Sequence, residues 1–191
     1  MNSIIKSFLI LILSVAFIFN ISAQKKDEIV YQKPDLPIDE TSKLITYTKV
    51  VQTSGTSEEL FRKGLNWFNT YYKNPADVIR EKDQVAGKIV GKGRLKILNP
   101  PDKNAVQTMK GIVLYTLTTE FKEGRFKYTV TDINLKSASY YACEQWLEAE
   151  SPTYSQVYNF FLQQVNDQII EAITNLENEM TKAPENKPQD W

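Results

Sequence analysis

The sequence predicts an α+β fold: an antiparallel sheet of about five strands with two helices, in the order strand, helix, four strands, helix. Three observations carry this. Residues 88–97 alternate, with Ile89, Gly91, Gly93, Leu95 and Ile97 on one side and Lys88, Val90, Lys92, Arg94 and Lys96 on the other, the two-residue period of a half-buried strand. Glu123 and Gly124 join two apolar runs as a tight hairpin turn. From Thr153 to about Thr181, Val157, Phe161, Val165, Ile169, Ala172, Leu176 and Met180 recur at helical spacing and form one apolar stripe.

Each element has its own signature. Leu44 to Val51 is rich in β-branched and aromatic residues and reads as a strand that Gly55 breaks. Thr56 or Ser57 caps the helix that follows, with Glu58 and Glu59 at its positive end. Phe61, Leu65, Phe68 and Tyr72 form one stripe of that helix, and Leu60, Gly64, Trp67 and Tyr71 the adjoining one. Asn74-Pro75 ends it, because proline disfavours helical geometry in the residue before it. Asp77 to Asp83 is charged enough for an edge strand. The basic strand 88–97 comes next, and its inward glycines leave room for close approach or a bulge. A loop at residues 99–104 precedes Gly111 to Phe121, apolar on both faces as a central strand is. Phe126 to Leu135 completes the hairpin, and its alternation slips at Asp132, where a bulge is expected. Ser137 to Pro152 reads as an aromatic connector.

The N-terminus gives an address. Lys6, the apolar run Phe8 to Ile21 and Ile21-Ser22-Ala23 have the layout of a secretory signal peptide, and the run is shorter than the roughly 20 residues of a membrane-crossing helix. The expected organisation is a signal at 1–23, an extended leader at 24–41, one α+β domain at 42–181 and a loose tail at 182–191. No cysteine stands at the cleavage region to accept a lipid, so the expectation is a periplasmic or secreted protein without a lipid anchor and without a transmembrane segment in the mature chain. Past residue 23 there are 22 basic and 23 acidic residues. They are unevenly placed: residues 77–136 hold 12 basic and 7 acidic, residues 137–191 hold 2 and 9.

Composition also removes chemistries. There is no histidine, hence no Ser-His-Asp or Cys-His nucleophile, histidine base or histidine-containing zinc site. Cys143 is the one cysteine, so no intrachain disulfide forms, and a small buried hydrophobe is its expected role. No phosphate loop, dinucleotide fingerprint or paired-cysteine metal motif is present, so no cofactor or metal is expected. Glu144, Glu148 and Glu150, close to Tyr140, Tyr141 and Trp146, evoke a glycosidase pair, a chemistry that needs two carboxylates about 5–10 Å apart across a cleft.

Several stretches together resemble one family: Tyr47-Thr48-Lys49-Val50-Val51, Gly55 to Phe61, Trp67-Phe68, Gly87-Lys88-Ile89-Val90-Gly91, and Gly124 to Ile133. The family is the secreted Gram-negative bacterial domain of unknown function with a TBP-like fold. The resemblance runs from Ser42 to Leu135 in motif and to Thr181 in element order. It implies a curved antiparallel sheet with both helices on one face, and no activity or catalytic residue. TBP binds DNA through its open sheet face, but a shared fold does not carry that function over, and export with a near-neutral charge disfavours nucleic acid here.

The expected binding face is therefore the open side of the sheet, with Lys88, Lys92, Arg94, Lys96 and, on the hairpin, Lys127. Lysines there also serve to block edge pairing and aggregation. The leading expectation is a non-enzymatic binding or structural module of the bacterial cell envelope whose partner is an anionic envelope component or another envelope protein. The alternative is an envelope hydrolase acting on glycan or peptide by carboxylate catalysis.

Overall fold

The computed structural model describes residues 29–183; the signal reading on residues 1–23 and the end of the tail lie outside the described residues. Six strands form one antiparallel sheet: β1 (Tyr47–Gln52), β2 (Ile79–Asp83), β3 (Lys88–Leu98), β4 (Met109–Lys122), β5 (Arg125–Lys136) and β6 (Tyr140–Ala142). The order across it is β1-β5-β4-β3-β2, with β6 paired to β5. The helices are α1 (Ser57–Tyr71), the short α2 (Pro75–Val78) and α3 (Val157–Thr181), with a 3-10 turn at Cys143–Leu147.

Thr56 caps α1 in a capping box with Glu59, as S/T-x-x-E sequences do. Leu60, Phe61, Gly64, Trp67 and Phe68 turn inward. Ile89, Leu95 and Ile97 of β3, Val113, Tyr115, Leu117 and Phe121 of β4, and Phe126, Tyr128 and Val130 of β5 meet them and the α3 stripe in one core. Phe61, Phe68, Phe161 and Ile169 are all buried in it. Both long helices thus share one face of the sheet, and among the described residues no helix lies on the strands' other face.

Close approach explains the inward glycines. A Cβ on Gly91 would lie 2.5 Å from Phe68, one on Gly93 2.1 Å from Tyr115, and one on Gly64 2.2 Å from Phe121, so aromatic rings fill the space these residues leave. Gly124 sits at φ 73° in the β4–β5 turn, where a glycine is favoured.

The structure differs from the sequence reading at element ends. Pro75 ends nothing by itself: α1 stops at Tyr71, and Pro75 opens a second helical turn at a first helical position, where its missing N–H costs nothing. The edge strand therefore starts at Ile79 instead of Asp77. The first strand starts at Tyr47 instead of Leu44, because Ile45 forms an isolated bridge with Ile38 across a turn that Asp39 holds by accepting from Thr41 N and Ser42 N. The connector contains a sixth strand and the 3-10 turn, and α3 starts four residues after Thr153. Residues 31–41 carry no helix or strand of their own, but they lie against the domain: the Tyr31 ring packs tilted against Phe160, and the buried Asn159 donates to Tyr31 O.

Candidate functional site

Cross-strand register defines the open face. In antiparallel pairing, directly opposed residues point to the same side, so the exposed Lys92, Arg94 and Lys96 of β3 share a face with Thr116, Leu114 and Ile112 of β4. These continue to Thr131, Asn134 and Lys136 of β5. The next row holds Val90, Thr118, Thr129 and Thr48. A further row runs from Asp83 through Lys88, Glu120 and Lys127 to Val50. The centre is hydroxyl-rich: Thr46 and Thr131 Oγ1 lie 3.4 Å apart, Thr48 and Thr129 Oγ1 3.2 Å.

All five basic residues expected on this face are there, but they divide into two groups. Lys88 Nζ is 3.2 Å from Glu81 and Lys127 Nζ 3.9 Å from Glu120, so the hairpin-proximal row is internally compensated. Among the described residues, no carboxylate lies within 4.0 Å of Lys92, Arg94 or Lys96. Lys136 joins these three in the row of Lys96, while at the hairpin end the opposed Lys122 and Arg125 are exposed on the same face and, among the described residues, likewise have no carboxylate within 4.0 Å. Lys136 was not singled out from the sequence. Its signal was present in the alternation, but the bulge must be counted correctly before Lys136 falls on the wet side.

The bulge sits at Asp132, which has φ 53° and adds one residue to β5 between its pairings with Thr116 and Leu114. It also divides the outer edge of β5, the first half pairing with β1 and the last three residues with β6. Lys136 opposes Tyr140, so Tyr140 too lies on the open face, 66% exposed. Leu135 opposes Tyr141, and Tyr141 turns to the helix side, 6.2 Å from the Trp146 ring.

The carboxylate cluster and the cysteine have other surroundings. Glu144 Oε1 accepts from Ile45 N at 2.9 Å, while Glu148 and Glu150 are exposed on a turn. Trp146 is buried and stacks on Tyr158. Cys143 is fully buried, and that burial, with Glu144 nearby, pushes its thiol up, away from thiolate character. Among the described residues there is no group of three His, Cys, Asp or Glu that could hold a metal ion, and no helix long and apolar enough to cross a membrane.

An open antiparallel sheet with its helices on one side is a TBP-like arrangement. Residues 47–136 match the family model of the domain of unknown function DUF4468 with TBP-like fold. Two crystal structures share the fold. A DUF4468 family protein from Bacteroides ovatus ATCC 8483 is 18% identical with a TM-score of 0.62, covering 86% of this chain and 100% of its own. A TBP-like protein from Parabacteroides distasonis ATCC 8503 is 14% identical with a TM-score of 0.52, covering 75% and 97%. No match is found among curated proteins. The DUF4468 match holds every basic residue of the open face, Lys136 being its last position, whereas Tyr140, Cys143 and the Glu144 cluster fall after it.

Proposed function

We propose that this protein is an exported, non-enzymatic binding module of a Gram-negative cell envelope, periplasmic or secreted without a lipid anchor, whose open sheet face holds an anionic envelope component. The observation that carries the proposal is the line of Lys92, Arg94 and Lys96, which among the described residues no helix covers and no carboxylate approaches within 4.0 Å. Same-face neighbours along a strand lie about 6.6–7 Å apart, within the roughly 8 Å Debye length at physiological salt, so an anion feels the three together. The layout of residues 1–23 supports export. A binding role is further supported by the engagement of Glu144 with backbone and the burial of Cys143.

The test is a K92E/R94E double variant. Both side chains are exposed, so the thermal midpoint should stay nearly unchanged, surface substitutions being worth about ±0.5 kcal/mol. On an immobilised heparin column the wild type should be retained at low salt and the variant should flow through. Equal retention of the two proteins would overturn the proposal.

A further inference from the structure

The cationic end of the sheet carries one feature that charge alone does not use. Tyr140 is the one aromatic among the strongly exposed large apolar side chains of the described residues, and it stands in the row of Lys136, Ile112 and Lys96. In the neighbouring row Arg94 opposes the half-buried Leu114, which opposes Asn134. Strands lie about 4.8 Å apart, which puts the Lys96 and Lys136 backbones roughly 10 Å apart on either side of Ile112, with Tyr140 one strand beyond.

We propose that this end of the face binds an acidic glycan, one of whose sugar rings lies on the Tyr140 ring while its carboxylates meet Lys136, Lys96 and Arg94. The proposal rests on the open-face reading and names its ligand class. A sugar ring offers an apolar C–H surface, equatorial hydroxyls and, in a uronate, one carboxylate. The patch supplies a counterpart to each: a tyrosine ring with Lys136 between it and the apolar Ile112, the Asn134 amide and neighbouring threonine hydroxyls, and cations on both sides of Ile112. A tyrosine is suited to this work because it presents an apolar body and a polar tip at little conformational cost. Single-stranded nucleic acid is matched less well, since it is held by successive aromatic platforms and this face offers one. A protein partner is also matched less well, because an interface core buries a cluster of large apolar anchors, and here Ile112 and Leu114 are already half-buried in the sheet.

The experiment compares polygalacturonate, inorganic polyphosphate and a dT oligonucleotide as soluble competitors for the purified protein, with the wild type, Y140A, Y140F and K92E/R94E. The expected result is that Y140A weakens polygalacturonate binding about tenfold and leaves polyphosphate binding unchanged, that Y140F stays near wild type, and that K92E/R94E loses both. Unchanged polygalacturonate binding in Y140A, with loss in K92E/R94E, would overturn the glycan proposal and leave the anion-binding reading standing. Tighter binding of the oligonucleotide than of polygalacturonate would also overturn it. Failure of the wild type to bind any of the three would overturn both.

Discussion

Gly93 and Tyr115 show how closely single residues are fitted. The Tyr115 ring lies across the glycine, and its hydroxyl is 2.9 Å from that of Tyr72, which in turn packs against Trp67 and Phe68. Gly93→Ala should therefore displace the ring and cost about 1–3 kcal/mol in urea unfolding, the range for overpacking a filled core. The same pair sets an alkaline limit. Burial pushes the Tyr115 phenol up to about 12 and raises that of Tyr72 as well. Both phenols are neutral in either state below their ordinary value near 10, so stability should be level there. Above it the unfolded chain releases protons that the native state keeps, and stability should fall by about 1.4 kcal/mol per pH unit for each such proton. Urea unfolding between about pH 9 and 12 checks this, and Tyr72→Phe should make the fall shallower.

At the scale of elements, α3 is held by more than its apolar stripe. Tyr47 of β1 donates to Asn166 Oδ1 at 2.8 Å, Trp67 of α1 to Asn175 Oδ1 at 2.7 Å, and Tyr128 of β5 to Glu177 Oε1 at 2.8 Å. Lys63 of α1 donates to Met180 O and Lys182 O at its C-terminal end. Phe161, buried against Trp146 and Tyr158, should cost about 3–5 kcal/mol when changed to alanine; denaturant unfolding that shows less than about 1 kcal/mol would mean that the stripe does not pack as described. The stripe was legible in the sequence because helical period leaves a trace over 25 residues. β3 and the β4–β5 hairpin were legible for the same reason with period two. The three-residue β6, the four-residue α2 and the 3-10 turn are shorter than any period they could display. The polar anchors were hidden for another reason: Asn166, Asn175 and Glu177 look like a solvated helix surface until the sheet is placed beneath them.

For the whole molecule, the sequence located the basic face but not how it is balanced. Alternation put Lys88, Lys92, Arg94, Lys96 and Lys127 on one side, and only register shows that Glu81 and Glu120 offset the first and last of them. A variant removing Glu120 should therefore extend the positive field toward the hairpin. Glu120→Gln is expected to elute from heparin at higher salt than the wild type, opposite in direction to K92E/R94E. The single left-handed residue in β5 has a wider reach than its local twist. A strand tells its two faces apart only by odd and even positions, and Asp132 changes that parity midway. Deleting residue 132 would leave Thr131, Ile133 and Asn134 on their present faces, but straightening Asp132 into the ladder opposite Tyr115 would swap odd for even through the rest of the strand, sending Ile133 into water and Asn134 toward the helices. Through the β5–β6 pairing it would also exchange Tyr140 with Tyr141, so that one backbone angle decides which of two adjacent tyrosines meets the outside.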